Sequence, residues 1–316
     1  MTPGVRIRRV ADDADLASYA ALHTEVTPED PASVDDLRWG DATYPPGAAR
    51  FLAERDGRAV GAASAGRIYV YPADYPDLWG TLTVVPEARR QGIGHDLLVE
   101  ISRHARERGK TGLTIRVSAD RPESIAFLEH RGFSERERSA MVRLDLVGLD
   151  PPDPAVPDGI ALTDLAARPD LAPGVHAVAL EAFADIPTDD EPLDVGDFDA
   201  FRRRDLERPG IPADAFAIAL DTTSGEVVGY ASLILLPGST TVAWHDMTAV
   251  RRAWRGRGIA AALKRATIAW ACRNGLTALE TGNDVDNEPM RAVNRKLGYA
   301  PLPDDLLFRG PLLPEP

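Results

Sequence analysis

Cysteine is almost absent from this chain of 316 residues; Cys272 stands alone. A single thiol excludes an internal disulfide and fits a reducing compartment. Lysine is nearly as scarce, occurring only at Lys110, Lys264 and Lys296, so arginine carries almost all the positive charge. Genomic codon bias is the simplest reading of that preference. No apolar run reaches membrane-spanning length, and Met1-Thr2-Pro3-Gly4 opens no apolar signal core. The cytoplasm is therefore the expected compartment, and no membrane partner is expected. Positive charge is in short supply overall, with 36 basic residues against 49 acidic ones and a net charge of −13. That balance disfavours nucleic acid and anionic membranes as partners and suits a cationic one. No metal site is expected.

The apolar share, 44%, is that of a soluble globular protein, and the length suggests about two domains. An internal repeat makes this specific. Val250-Arg-Arg-Ala-Trp-Arg-Gly-Arg-Gly-Ile-Ala260 follows an extended run and precedes a helical one, Ile259 to about Arg273. Val84-Val-Pro-Glu-Ala-Arg-Arg-Gln-Gly-Ile-Gly94 has the same form, offset by 166 residues. Arg-Gly-Phe ending at Phe133 and Leu-Gly-Tyr ending at Tyr299 keep that offset. A repeat so long is a duplicated domain and not a solenoid unit.

The repeated element is a strand, a glycine- and arginine-rich turn and a helix start. The first N–H groups of a helix lack intrahelical acceptors, and the macrodipole adds partial positive charge there. Glycine lets backbone approach a ligand closely. Such a site suits a phosphate or diphosphate. Gly256-x-Gly258-x-x-Ala261 also matches a dinucleotide-binding fingerprint, with Glu280 at a distance suited to a ribose contact. Arg90, standing where Gly256 stands, argues against that reading, and no Gly-Lys-Ser/Thr is present for a P-loop.

Along the chain, Val5 to Val10 reads as a strand and about Asp13 to His23 as a helix. Phe51 to Glu54 and Ala59 to Gly66 form a hairpin around Asp56-Gly57, which Ile68 to Tyr71 could extend. Leu82 to Val85 enters the first turn. Ile93, Leu97, Leu98, Ile101 and Ala105 lie on one helical stripe. Leu113 to Val117 is a strand, Pro122 to His130 a helix, and Met141 to Leu146 a closing strand. Pro151, Pro152, Pro154 and Pro157 mark a semi-rigid linker. The order then repeats, with a short helix from about Val195 to Leu206 and a hairpin around Ser224-Gly225. Pro301 to Pro316 is weakly informative. The expected domains are 1–148, a linker over 149–158, and 159–316, each a mixed α/β unit.

Arg-x-x-Gly-x-Gly/Ala after a strand, with Gly-Phe or Gly-Tyr closing a helix some forty residues on, resembles the GCN5-related N-acetyltransferase (GNAT) superfamily. Both halves carry the resemblance, so the chain is similar to tandem members such as the mycothiol synthase type. The resemblance implies an α/β fold of two GNAT-type domains, acetyl-CoA as cosubstrate, and transfer to an amine. Turn amides would hold the diphosphate: Arg90, Gln91, Gly92, Ile93 and Gly94 beside Arg89, and Gly256, Arg257, Gly258, Ile259 and Ala260 beside Arg255. Val84 and Val250 would face the thioester. In the family the base often sits on the preceding strand, on that same face. Alternation back from Val250 gives Thr248, Asp246 and Trp244, against Leu82, Gly80 and Leu78 in the first half. The second half is therefore expected to be catalytic, with Asp246 as base, and the first half non-catalytic, either binding acetyl-CoA idly or serving as a scaffold that completes the acceptor pocket. His245 falls on the opposite face unless a bulge re-aims it, although its titration range suits a base better.

Asn283 and Asn287 fall beside the expected pantetheine path, where the first half has Val117 and Arg121. The tyrosine that many members use as general acid is replaced by Leu128 and Asn294, so Asn294 or a water would meet the sulfur, or no acid is needed. Carboxylates from Glu181 to Asp199, including Asp185, Asp189, Asp190, Glu191, Asp194 and Asp197, fall where the family covers its acceptor. They would attract a polycationic amine, or form a solvated loop. Two classes remain: an enzyme acetylating a primary amine of a small molecule, and a non-catalytic acyl-CoA-binding or interaction protein. A peptide or protein amine and the mycothiol-precursor amine are further acceptors. Oligomeric state is not legible.

Overall fold

The computed structural model describes residues 2–186, 193–236 and 241–314. The chain forms two compact units, one of residues 1–138 with 304–316 and the other of residues 139–303. This differs from a simple division at the proline linker. The strand that closes the first repeat in sequence belongs largely to the second unit, and the chain's last strand belongs to the first.

In unit 1, β1 (Arg6–Arg9) leads to α1 (Asp13–Val26) and α2 (Val34–Thr43). Each helix starts on a side-chain cap, from Asp12 onto the Asp15 amide and from Ser33 onto the Asp36 amide. Then come β2 (Ala49–Arg55), β3 (Arg58–Arg67), β4 (Asp77–Val84), α3 (Ile93–Glu107), β5 (Gly112–Ser118) and α4 (Pro122–Glu129). Asp56 and Gly57 turn the β2–β3 hairpin with φ of 50° and 76°, as a tight primed turn requires. The strand does not continue over Ile68 to Tyr71; β3 ends at Arg67.

β6 (Ser134–Asp145) crosses into unit 2, followed by β7 (Ile160–Asp164), α5 (Ala172–Phe183) and α6 (Phe198–Phe201). A five-residue π turn, Arg202–Leu206, continues α6. β8 (Ala217–Asp221), β9 (Val227–Leu235), β10 (Val242–Val250), α7 (Ile259–Arg273), β11 (Ala278–Asp284), α8 (Glu288–Lys296) and the short β12 (Ala300–Pro301) complete the unit. β13 (Asp305–Pro311) then returns to unit 1. Nothing in the proline-rich tail announced this strand.

The sheet of unit 1 runs β1-β2-β3-β4-β5-β13 and that of unit 2 β7-β8-β9-β10-β11-β6, with β12 also on β6. Within each, only the pairs β4–β5 and β10–β11 are parallel; the rest are antiparallel. In unit 2, α5 packs with Val175, Val178 and Ala179 against Ile218, Tyr230 and Ala249. On the other face of the sheet, Ile259 and Leu263 of α7 pack against Val228, Ala231 and Val250. That sidedness decides which groups on β10 can meet. Among the described residues, no helix is long and apolar enough to cross a membrane.

Candidate active site

The two parallel pairs hold together only at one end. β4 pairs with β5 from Asp77 to Gly80, and β10 pairs with β11 from Val242 to Trp244. Beyond those points the strands diverge. β11 stays bonded to β6 out to Asp284, and β10 to β9 out to Val250. Each unit thus has a V-shaped slot between neighbouring strands, ending at a glycine turn.

The turns share one geometry. The Arg89 Nε–H donates to the Val84 carbonyl at 3.0 Å and the Arg255 Nε–H to the Val250 carbonyl at 2.9 Å. Arg90 and Gly256 occupy the left-handed region, with φ of 61° and 75°. Arginine pays a steric cost there that glycine does not. Gly92 and Gly258, with φ of 94° and 85°, precede α3 and α7, and neither helix has a side-chain cap. Gln91 donates to the Glu87 carbonyl at 3.0 Å and Arg257 to that of Ala253 at 3.1 Å, bracing the turns alike.

What stands before the two helix starts differs. In unit 1, Asp96 lies in the first turn of α3 and accepts from the Thr2 amide at 2.6 Å and the Thr2 hydroxyl at 2.7 Å. Thr2 also donates to the Gln91 carbonyl at 3.2 Å, and its Oγ1 lies 2.8 Å from where a Cβ on Gly92 would sit. The turn that includes Gly92, Ile93 and Gly94 therefore has the Asp96 carboxylate and Thr2 against it. In unit 2 the first turn of α7 has no acidic residue; a Cβ on Gly258, which matches Gly92, would meet only Pro157 Cγ in ordinary contact at 3.8 Å, and one on Gly256 nothing within 4 Å. Ile259 and Ala260 begin the helix with their amides toward that open side. A diphosphate fits the second turn better than the first.

A bulge in β10 corrects the strand-alternation argument. His245 pairs with Leu233 and Thr248 with Ala231, so three steps on β10 match two on β9. The extra residue turns His245 onto the face of Thr248 and Val250, toward α7, and Asp246 onto the opposite face, toward α5 and α6. Asp246 is half-buried, and the Ser232 hydroxyl donates to its Oδ2 at 3.1 Å. Burial lifts its carboxyl above the usual range, and the Met247 amide and Ser232 only partly offset this. Asp205, from the π turn after α6, is its neighbour. Burial lifts that carboxyl too, against the pull of Arg204 2.6 Å away, and the charge of Asp246 adds to the rise. Sequence reasoning missed Asp205, Ser232 and the fully buried Tyr230, whose hydroxyl is pushed up by burial and by both carboxylates.

His245 is fully buried and does not reach the Asp246 face. The Tyr299 hydroxyl lies 2.7 Å from its Nδ1 and the Thr267 hydroxyl 3.1 Å from its Nε2. Burial and the nearby Lys264 hold its pKa well below the ordinary histidine value, so the ring is neutral, with both nitrogens engaged within the core. Asn294 is buried and donates from Nδ2 to Asn283 Oδ1 at 2.7 Å, which brings together two of the expected amides. Asn287 instead caps α8, its Oδ1 accepting from the Met290 amide at 3.3 Å.

The acidic connection is largely engaged elsewhere. Asp185 pairs with Arg252 and, at 2.7 Å, with Arg255 of the turn, which holds its carboxyl down to about 2. Asp194 and Asp197 accept backbone amides from Gly196 and Ala200, and Asp199 faces Arg202 at 3.7 Å. Asp189, Asp190 and Glu191 lie outside the described residues. For the described members, turn formation and ion pairing account for the carboxylates.

A diverging parallel strand pair that feeds a glycine turn at a helix start, built twice in one chain, defines a tandem acyltransferase architecture. The chain belongs to the acetyltransferase (GNAT) family, whose model matches residues 16–133 and 180–299. It is 28% identical to the mycothiol acetyltransferase of Nocardiopsis dassonvillei, over 96% of each chain. It is also 28% identical to that of Saccharomonospora viridis, over 72% of each chain. Among solved structures, a tandem GNAT protein from the clavulanic acid biosynthesis pathway superposes with a TM-score of 0.79 at 24% identity, covering 99% of this chain and 100% of its own. A GCN5-related N-acetyltransferase from Sphaerobacter thermophilus gives 0.74 at 20% identity, over 100% and 98%. The protein is thus an N-acetyltransferase-family enzyme with two GNAT domains, and its family uses acyl-CoA.

Proposed function

We propose that this chain transfers an acetyl group from acetyl-CoA to the primary amine of a small molecule, and that unit 2 performs the chemistry. One observation carries the reading. Among the described residues, the diverging part of β10 carries a carboxylate, Asp246, on its α5/α6 side, whereas that of β4, from Thr81 to Val84, carries none, and Gly256 of the following turn has open space before it. The relatives named for mycothiol acetylation support a small acceptor.

Amides from Gly256 to Ala260 hold the diphosphate, and the slot between β10 and β11 takes the pantetheine, leading the thioester to the bulge. An amine attacks only when neutral, so its ammonium must first lose a proton. Asp246, its affinity for protons raised by burial, takes that proton, while Ser232 fixes the carboxylate's orientation. Asp205 stands on the same face but is paired with Arg204, so Asp246 is the carboxylate left to meet an ammonium-bearing acceptor.

The test is a panel of small amines assayed for free thiol release from acetyl-CoA. At least one cationic primary amine is expected to give turnover that saturates. Thiol release no faster with any amine than without would remove the reading.

A further inference from the structure

Four buried positions that touch one another are apolar in unit 1 and polar in unit 2. The strand registers and the repeat offset equate Gly80 with His245, Leu98 with Lys264, Ile101 with Thr267 and Phe133 with Tyr299. In unit 1, a Cβ on Gly80 would lie 3.1 Å from Ile101, and Leu98, Ile101 and Phe133 share the core. In unit 2 the set is a hydrogen-bonded chain. One arrangement satisfies its groups: Tyr299 donates to His245 Nδ1, His245 Nε2–H donates to Thr267, and Thr267 donates to the Lys264 carbonyl at 2.9 Å.

Lys264 ends this chain with its ammonium 5.4 Å from the Tyr299 ring centroid. It is 2% exposed, and no carboxylate pairs with it among the described residues. The titratable groups facing it are His245 from β10 and Tyr299 after α8, both held neutral by burial. Burial without a partner brings its own pKa down to about 7. A buried ammonium with no counter-charge is expensive to maintain. Its place is informative. His245 adjoins the last β10–β11 pair, so the cluster lies at the point where the slot opens. Two further polar atoms on this side have no hydrogen-bond partner, Thr248 Oγ1 on the diverging part of β10 and Asn294 Oδ1 on α8.

Cleaving a thioester creates one new anion, the thiolate. We propose that Lys264, positioned by the His245–Tyr299–Thr267 chain, gives its proton to the sulfur as the carbon–sulfur bond breaks. This rests on the acetyl-CoA reading above. The acceptor nitrogen forms the new bond to the acetyl carbon and sheds two protons in all. Both pass in turn through Asp246 to solvent, and Lys264, neutral once the sulfur has its proton, regains one from solvent, so one proton is released overall. The residue takes the task that an absent tyrosine leaves open.

Binding of CoA and of desulfo-CoA, measured by titration calorimetry at pH 8, tests this without knowing the acceptor. An ammonium at the sulfur lowers a thiol's pKa by about one unit or more. CoA is therefore expected to bind up to about threefold tighter than desulfo-CoA at that pH and to show thiolate absorbance when bound, and Lys264→Met to abolish both. Equal binding of the two by the wild type overturns the proposal and needs no variant. So does a preference that survives in Lys264→Met, or in Lys264→Leu should the Met variant not fold. Failure of both compounds to bind the wild type would instead sink the acetyl-CoA reading itself.

Discussion

The two units place the same backbone around two different interiors. Unit 1 has the hydroxyls of Tyr19, Ser64 and Thr81 where its acceptor face would be, Ser64 lying 3.0 Å from Tyr19 and 2.7 Å from Thr81. Ser64 matches Ser232, and Thr81 pairs with it in a regular ladder. Unit 2 inserts one residue at that point, and Asp246 results. On the opposite face, an apolar set gives way to His245, Lys264, Thr267 and Tyr299. Unit 1 closes its turn with Thr2 and Asp96, while unit 2 leaves Gly256 open. Unit 2 carries two carboxylates raised by burial and a buried amine where unit 1 has Leu98, and duplication allows one copy to bear such costs while the other does not.

The hardest blow to this asymmetry is Asp246→Asn. Turnover at neutral pH is expected to fall by about 100-fold or more, the usual range for loss of a general base, with acetyl-CoA affinity unchanged. Stability should move the other way. The carboxyl's folded pKa is raised, so the stability tied to its protonated form is complete at low pH and lost as pH rises through that value. At pH 7 the amide avoids the loss, and chemical denaturation should show a more stable protein. Thr81→Val, the mirror change, should leave turnover intact. An active Asp246→Asn enzyme would place the chemistry elsewhere.

The turns give the next largest effect. Equilibrium dialysis should count one acetyl-CoA per chain. Gly256→Asp puts a negative charge where the helix dipole favours an anion, in a left-handed conformation that aspartate tolerates. Affinity should drop by about tenfold. Arg90→Asp, at the matching place in unit 1, should change nothing measurable. Two equivalents bound, or a loss from the unit 1 variant, would erase the distinction between the turns.

The repeat, both turns and the order of most elements were legible because they depend on local chemistry. Glycine at a left-handed position and an apolar stripe on a helix leave marks in any sequence. Asp246 was reached by strand alternation, yet alternation alone put it on the wrong face, because one bulged residue reverses the parity of everything before it. The exchange of β6 and β13 between units left no local mark, since either strand satisfies the same ladder. Asp205 was hidden in a π turn that no periodicity announces. Lys264 was visible all along as a lysine on the stripe where Leu98 stands, a conflict between residue and position that marks a functional site.

That conflict yields the smallest effect and the sharpest sign. Replacing Lys264 with leucine, the residue unit 1 uses, removes a buried charge, and at pH 7 the variant should be more stable by about 1 kcal/mol or more. Between the folded value of about 7 and the unfolded 10.5, the unfolded wild type binds more protons than the folded one. Wild-type stability therefore rises with pH over that window. The variant lacks the group, and every other titration is common to both proteins. The gap measured by urea denaturation should thus shrink steadily from pH 7 to pH 10. A gap that stays constant would mean that Lys264 does not change its proton affinity on folding, and a gap that widens would mean that it is stabilised as the ammonium.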